Sequence, residues 1–232
     1  MVGKNESHDP GVVGPVSEAF APVFSRLAFL DDQEPREAAL QLAVDRALLE
    51  AATLPILRIY RWMGACVTIG YFQQMAEAEA AHPSLSVVRR WTGGGTVEHG
   101  KDAPYSLIVP KCEAFAAVRP GESYRMLHGI LASVLRGLLP GVTTAEEDAP
   151  RVSGACFANP VKDDLLVGDC KVAGAGQRRT RKGLLHQGSI QVGSPYFTQA
   201  KEFAARLSHS VEVIPLPAGV LERAREITVG TG

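Results

Sequence analysis

Apolar residues recur at helical spacing in several stretches of the chain, and each stretch predicts an amphipathic helix. In residues 36–53 an apolar face follows an acidic, proline-containing segment suited to a first helical turn, and Pro55 ends the pattern. The same period runs through residues 122–139 and stops at Pro140 and Gly141. Shorter helices are predicted over residues 74–81, 197–208 and 219–227.

Short apolar or alternating runs, bounded by glycine and proline, predict strands between these helices. We expect a hairpin-like connection at Met63 and Gly64 and a second hairpin at Gly168 and Asp169. Mixed strands and helices of this kind predict an α/β or α+β fold, with a mixed β-sheet flanked by helices. The predicted strands span residues 56–62, 65–72, 85–90, 103–110 and 183–192, with two more within residues 164–176.

Composition narrows the class of protein. The chain has 232 residues, 46% hydrophobic and 21% charged, as expected for one globular domain over residues 26–232 after a flexible tail over residues 1–25. A net charge of −1 argues against a nucleic-acid partner, and no apolar run reaches the ~18 residues of a membrane span. Four scattered cysteines without a CxxC pair predict a reducing cytoplasm and argue against a structural metal site.

Three consecutive glycines follow a predicted strand in the segment RRWTGGGTV, residues 89–97. The pattern matches neither a dinucleotide fingerprint nor a P-loop, because a loop and a strand follow it instead of a helix. One or two glycines suffice for a turn, so the third suggests close approach of the backbone to a ligand. Arg89 and Arg90 point to opposite faces of the strand, and a partly buried arginine needs a carboxylate or phosphate partner. The segment is therefore an anion-binding loop or a structural loop.

A second group of candidates lies between residues 154 and 189. Lys171 precedes a run of small residues and could point into a pocket, where it would polarise a carbonyl or activate a thiol. The alternative is a solvated lysine at a strand end. Cys156 could be a nucleophile or a buried apolar thiol, and His186 a base or a hydrogen-bonded structural histidine.

Three ordered motifs resemble the lipoate-protein ligase and octanoyltransferase family, which is related to the biotin-protein ligases. These are LRIYRWMGACVTIGYFQ, VVRRWTGGGTVEHG and LVGDCKVAGAGQRRTRKGLLHQGSI. The resemblance runs from about Glu37 to Val192. It implies a mixed-sheet catalytic domain that binds the acyl chain in a tunnel beside the glycine loop.

The resemblance also implies roles for individual residues. Cys156 would be the nucleophile and Lys171 the residue that contacts the acyl carbonyl. Gly100 stands where the family usually has an aspartate, and GAGQ replaces the more usual Gly-Ser-Ala-Gln. Substrate or nucleotide binding would fall to Arg90, Thr92, Gly93, Gly94, Gly95, Thr96, Val97, Glu98, His99, Gly174 and His186.

The activity implied is attachment of an octanoyl or lipoyl group to a lysine of a lipoyl domain, in the glycine-cleavage H protein or a 2-oxoacid dehydrogenase E2 subunit. The segment ACFANP resembles the branch that takes octanoyl from acyl carrier protein through a cysteine thioester, without a cofactor. The triple glycine is typical of the ligases, which activate free lipoate with ATP and Mg²⁺. A non-catalytic relative that binds acyl groups or lipoyl domains is the third alternative. The basic run QRRTRK, residues 177–182, would steer an acidic protein substrate into place.

Overall fold

The computed structural model describes residues 20–150 and 156–229, and of residue 156 the backbone only. The helices in this part of the chain are α1 (Ala38–Ala51), α2 (Met75–Ala81), α3 (Pro120–Leu135), α4 (Ala200–Leu207) and α5 (Val220–Val229), with 3-10 turns at Ala114–Ala117 and Cys156–Ala158. The strands are β1 (Leu27–Arg36), β2 (Ile56–Trp62), β3 (Cys66–Ile69), β4 (Ser86–Arg89), β5 (Val97–His99), β6 (Ala103–Pro110), β7 (Val142–Thr144), β8 (Leu165–Val167), β9 (Cys170–Thr180), β10 (Gly183–Ile190) and β11 (Val211–Val213). None of these helices has the length and apolar character needed to cross a bilayer.

The strands form two sheets. The larger has the order β11-β1-β2-β6-β10-β9-β8-β7, and the smaller has the order β4-β3-β5. In the larger sheet β1 is parallel to β11 and β2, whereas β6, β10, β9, β8 and β7 are joined by antiparallel pairs. The predicted mixed sheet flanked by helices is confirmed.

Helices cover the larger sheet on both faces. Every residue of β6 and of β10 is buried, although side chains alternate between faces along a strand. One apolar layer lies between the sheet and the helices α3 and α4, and it includes Leu107, Leu131 and Phe203. The opposite layer packs α1 and α5 against the sheet through residues such as Val44 and Ile108. The central strands are thereby held between two cores.

Two predictions about local structure are wrong. The segment DDQEP was expected to open a helix, but it belongs to the ten-residue strand β1. Its acidic residue Asp32 is buried because Arg36 and Arg58 bind its carboxylate. The expected hairpin at Met63 and Gly64 does not form, because β2 and β3 belong to different sheets.

The other predicted elements agree closely with expectation, but the short strands β5, β7 and β11 were not predicted. Strands β2 and β6 have the predicted bounds, and the hairpin at Gly168 and Asp169 joins β8 to β9. Strand β9 continues to Thr180 and so includes most of the basic run. The boundary predicted at residue 25 stays a prediction, and the structure places the buried Phe24 ring against Phe115.

A buried polar chain connects α1 to the glycine loop, defined here as residues 92–95. The Arg58 guanidinium donates to Asp45 and to Asp32 at 2.7 Å each. Burial alone would lower the pKa of Arg58, but these two carboxylates raise it above its ordinary value. Gln187 donates to the second oxygen of Asp45 (2.7 Å) and accepts a hydrogen bond from the hydroxyl of Thr92 (2.9 Å). The loop is thus tied to charged groups inside the domain.

Glycines on two other segments make room for this loop. A Cβ atom at Gly70, just after β3, would overlap the carbonyl oxygen of Gly94. A Cβ at Gly176 in β9 would lie 2.5 Å from the carbonyl oxygen of Gly93. Gly94 itself has a φ of +103°, which favours glycine. The three glycine-containing segments therefore meet backbone to backbone.

We expect Gly70→Ala to lower the free energy of unfolding by about 1–3 kcal/mol, because the methyl group meets rigid backbone. Thermal or denaturant unfolding measures this loss. Gly64→Ala is the matched control, since a Cβ there has no neighbour within 4 Å among the described residues, and its effect should stay within about 0.5 kcal/mol. Equal stabilities of the two variants would contradict the packing argument.

Candidate functional site

The glycine loop covers a cavity on the larger sheet, which we call the glycine-loop cavity. The empty space within it, counted together with its open mouth, is about 450 Å³. Its walls are mainly glycine backbone and aromatic or aliphatic side chains, which suits an apolar ligand. The lining residues are Leu42, Tyr60, Trp62, Thr68, Arg90, Gly93, Gly94, Val97, His99, Phe157, Gly174, Ala175, Gly176, Gln187, Gly188 and Ser189.

Arg90 holds the glycine loop from within. It is 9% exposed, and Nη2 donates to the carbonyl oxygens of Gly95 (2.7 Å) and Gly93 (3.3 Å). Nη1 donates to the hydroxyl (2.6 Å) and carbonyl (2.9 Å) oxygens of Thr68. From the sequence, a carboxylate or phosphate partner is expected for a buried arginine here. Through these contacts with carbonyl and hydroxyl oxygens, the guanidinium positions the loop.

His99 lies in a chain of hydrogen bonds along one wall of the cavity. Its Nδ1 is 2.6 Å from Oδ2 of Asp102, and its Nε2 is 2.7 Å from the hydroxyl of Thr68. Because Arg90 donates to that hydroxyl, the Thr68 hydrogen is left for Nε2, and Nδ1–H then donates to the carboxylate. The imidazole is therefore oriented at both nitrogens.

Asp102 is the buried carboxylate that contacts His99. Its oxygens also accept hydrogen bonds from Ser189 (2.7 Å) and the backbone amide of Gly100 (3.0 Å). Burial alone would raise the pKa of Asp102, but the hydrogen bonds from His99, Ser189 and Gly100 hold it below its ordinary value. Gly100 has a φ of +133°, a backbone conformation that an aspartate would adopt only with strain.

Lys171 is a buried member of an ion pair. Its Nζ lies 2.6 Å from Oδ2 of Asp164, and the two side chains are 1% and 0% exposed. The other Asp164 oxygen accepts a hydrogen bond from the Tyr124 hydroxyl (2.6 Å), which itself accepts one from the amide of Ala175 (2.9 Å). Gly174 leaves the space for the lysine, because a Cβ there would lie 2.6 Å from Nζ. The solvated lysine considered from the sequence is excluded by this burial.

A second, wider cleft opens beside Lys171. Lys171, Val97 and Phe157 line this cleft, and Val97 and Phe157 also line the glycine-loop cavity. The Phe157 ring is 5.2 Å from Lys171 Nζ. Cys156 directly precedes Phe157 in the 3-10 turn Cys156–Ala158, and its side chain lies outside the described residues. The chain thus passes position 156 at the junction of cavity and cleft.

The remaining candidates divide between these two spaces. Thr96 accepts a hydrogen bond from Gln73 (3.0 Å) at the edge of the cleft. The Glu98 side chain is 69% exposed on the cleft wall, 3.6 Å from the imidazole of His82. Gly93, Gly94 and Gly174 are in the cavity wall, while Gly95 and Thr92 hold the loop through hydrogen bonds.

His186 is not brought to the cavity lining. It is fully buried, with Nε2 3.1 Å from the Tyr105 hydroxyl and Nδ1 3.1 Å from the amide nitrogen of Gln177. Burial, and then the charges of His128 and Arg179, lower the pKa of His186 well below its ordinary value. These are the contacts of a neutral histidine inside the domain.

Asp102, Asp164 and Tyr124 were not among the candidates from the sequence. Asp102 follows His99 by three residues, a spacing that could have suggested it. Asp164 and Tyr124 reach Lys171 only through the folding of β8, β9 and α3 together. Among the described residues, no three His, Cys, Asp or Glu side chains are grouped to hold a metal ion.

We expect Asp164→Asn to lower the free energy of unfolding by about 3 kcal/mol, because it removes the carboxylate paired with the buried Lys171 ammonium. Denaturant unfolding measures the loss. The double variant Asp164→Asn, Lys171→Met removes that charge and should be more stable than Asp164→Asn alone. A double variant that is the less stable of the two would contradict this ion-pair description.

We expect Asp102→Asn to lower the free energy of unfolding by about 2 kcal/mol, because it weakens several hydrogen bonds to a buried carboxylate. It should also change the tautomer of His99, which nitrogen NMR of the ring detects. Ser189→Ala removes only one of those hydrogen bonds and should cost about 1 kcal/mol without changing the tautomer. An unchanged His99 spectrum in Asp102→Asn would refute the orientation described above.

Known sequences similar to this chain include several octanoyltransferases. It is 33% identical over 174 residues to the octanoyltransferase LipM of Brevibacillus brevis, covering 68% of this chain and 63% of that protein. The LipM of Bacillus subtilis is 34% identical over 169 residues (66% and 60%), and that of Geobacillus kaustophilus is 36% identical over 170 residues (66% and 60%). The alignments therefore cover about three fifths of the length of these relatives.

Solved structures share the fold. A lipoate-protein ligase A bound with ATP superposes with a TM-score of 0.69 at 20% identity, covering 88% of this chain and 94% of that chain. A bipartite lipoate protein ligase of Thermoplasma acidophilum, studied with its E2 lipoyl domain, gives 0.60 at 18% identity (89% and 93%). The sequence model of the family described as the lipoyl protein ligase A/B catalytic domain matches residues 37–221 of this chain. The chain therefore belongs to the lipoyl protein ligase A/B catalytic domain family.

Proposed function

We propose that the protein transfers an octanoyl group from acyl carrier protein to a lysine of a lipoyl domain, through a thioester on Cys156. The observation that supports this most directly is the position of Lys171. It is a buried cation in the wall of an open cleft, beside Phe157, which also lines the mainly apolar glycine-loop cavity. A thioester carbonyl at that junction would have its alkyl chain in the cavity and its reacting carbon facing the cleft.

The resemblance to the LipM octanoyltransferases supports the choice of reaction. The bipartite ligase of the same fold, studied with an E2 lipoyl domain, supports a lipoyl domain as the acceptor. A lipoyl domain of the glycine-cleavage H protein is an equivalent acceptor under this proposal. The reducing cytoplasm expected from the cysteines suits a catalytic thiol.

The first step exchanges one thioester for another. The Cys156 thiolate attacks the octanoyl carbonyl, a carbon–sulfur bond to the enzyme forms, and the bond to the pantetheine sulfur breaks. The pantetheine thiolate leaves and takes up a proton. Lys171 stabilises the attacking thiolate and the negative oxygen of the intermediate through its positive charge. Because one thioester replaces another, this step needs neither ATP nor Mg²⁺.

The second step forms the amide. The neutral amine of the acceptor lysine attacks the acyl-enzyme carbonyl from the cleft, the carbon–nitrogen bond forms, and the Cys156 thiolate leaves. The proton lost from nitrogen passes to that thiolate or to solvent. Amide formation from a thioester is favourable, so the second step drives the overall reaction.

Asp164 and Arg90 act through other groups in this scheme. Asp164 holds Lys171 in place through their ion pair, and Tyr124 orients Asp164. Arg90 keeps the glycine loop closed over the alkyl chain. The hydrogen-bonded wall formed by Thr68, His99 and Asp102 satisfies its own donors and acceptors, which suits an alkyl chain rather than a polar one.

The test is the mass of an apo lipoyl domain after incubation with the protein and one of two donors. Octanoyl-carrier protein alone should add one octanoyl group, and Cys156→Ser should reduce the rate by at least about three orders of magnitude. Cys170→Ser, at the exposed cysteine next to Lys171, is the matched control and should retain the rate. Without an acceptor, the mass of the wild-type protein itself should increase by one octanoyl group.

Other outcomes distinguish the alternatives. Modification only with lipoate, ATP and Mg²⁺ would assign the protein as a ligase, with Cys156 a bystander. Modification with neither donor would favour a non-catalytic binding protein. Loss of transfer in Cys170→Ser but not in Cys156→Ser would move the nucleophile to the start of β9.

A further inference from the structure

A row of stacked cations and rings lies on the outer side of the glycine loop. The Arg46 guanidinium lies 4.2 Å from the centre of the Trp91 ring. The Arg178 guanidinium lies 5.8 Å from the same ring and 4.5 Å from that of Tyr71. Arg89, whose guanidinium donates to the carbonyl oxygens of Gly70, Tyr71 and Gln73, lines the groove beside this row. We call this surface the arginine groove.

The positive charge of the arginine groove is largely uncompensated. Within residues 20–150 and 156–229, neither Arg178 nor Arg89 has a carboxylate oxygen within the 4.0 Å of a salt bridge. Arg46 has a carboxylate at 3.5 Å, from Glu50, but Glu50 also binds Arg223 at 2.8 Å. A concave surface with such an excess of arginine is complementary to an anionic partner.

An exposed apolar side chain borders the groove. Phe72 is 85% exposed and packs edge to face on Tyr71 at 5.2 Å. A large apolar side chain beside arginines and aromatic rings is typical of the centre of a protein–protein interface. The surface therefore suits a protein that is acidic and also presents apolar residues.

The groove lies directly against the proposed acyl site. Arg90 lines both the groove and the glycine-loop cavity, and Trp91 connects Arg90 to the loop. Neighbouring arginines of the basic run in β9 point to opposite faces of the sheet and have different partners. Arg178 stacks in the groove, whereas the next residue, Arg179, donates to carbonyl oxygens of Ala116 and Val118. The whole run QRRTRK was predicted to steer a protein partner. Of these two arginines, Arg178 lies in the groove and Arg179 does not.

We propose that the arginine groove docks the acidic acyl carrier protein, with its arginines around the phosphodiester at the base of the pantetheine arm. This inference rests on the proposed function, since it names the surface that receives the donor. Guanidinium groups bind phosphate oxygens in a bidentate manner, and the carrier protein presents such a phosphate where its arm begins. The acceptor lysine of a lipoyl domain approaches as an ammonium, which the same arginines repel.

The test is binding of fluorescently labelled holo-carrier protein, measured by anisotropy, which does not depend on catalysis. Arg178→Glu should weaken binding by about tenfold or more, and Phe72→Ser should weaken it without changing the charge. Arg206→Glu is the matched control, because Arg206 is an exposed arginine on α4, away from the groove, and binding should be unchanged. Raising the salt concentration should weaken wild-type binding more than that of Arg178→Glu.

Transfer assays add a second readout. Arg178→Glu should lower kcat/KM for octanoyl-carrier protein by about tenfold and leave kcat/KM for a small octanoyl thioester unchanged. Equal binding of the carrier by wild type and Arg178→Glu, or a weaker affinity for the lipoyl domain instead, would overturn the assignment. Equal losses with both donors would mean that Arg178 has a structural role, and they would overturn it too. If the carrier binds as predicted but no donor is used, only the proposed function fails.

Discussion

Backbone-to-backbone contact among glycines is the constraint on which the rest of the structure depends. The glycine loop can occupy its position only because Gly70 and Gly176 have no side chain where the carbonyl groups of Gly94 and Gly93 approach. These contacts join the end of β3, the loop and the middle of β9, three segments far apart in the sequence. Arg90 then fixes the loop by donating hydrogen bonds to the carbonyl oxygens of Gly93 and Gly95.

Buried charged groups inside the domain also hold the glycine loop in position. The pair of Arg58 and Asp45 connects β2 to α1, and Gln187 extends it through β10 to Thr92 in the loop. A second pair, Lys171 and Asp164, lies at the other side of the cavity. Buried ion pairs are weak evidence for stability, but each becomes costly to break once formed. Removing one partner of either pair therefore leaves a buried charge beside the site and destabilises the elements that the pair connects.

The fold class, several strands and the loop could be predicted because periodicity and glycine spacing are local signals. β2 and β6 are apolar runs bounded by proline, glycine or loop residues, and their ends were placed correctly. β1 was missed because its acidic residues and proline are the usual start of a helix. Asp32 is buried in that strand only through Arg36 and Arg58, and a sequence does not show which arginine will approach. The partners of Lys171 and Arg90 were missed for the same reason, since they are set by tertiary packing.

The fixed position of the glycine loop also has a consequence for the turnover rate. Many enzymes close a lid over the substrate, and lid opening on the microsecond-to-millisecond scale then limits turnover. Here the wall above the cavity is already ordered by the interior contacts of Arg90 and Thr92 and by two glycine crossings. Such a loop behaves as a fixed wall, so under the proposed function the slow events would be the arrival and departure of the two protein partners.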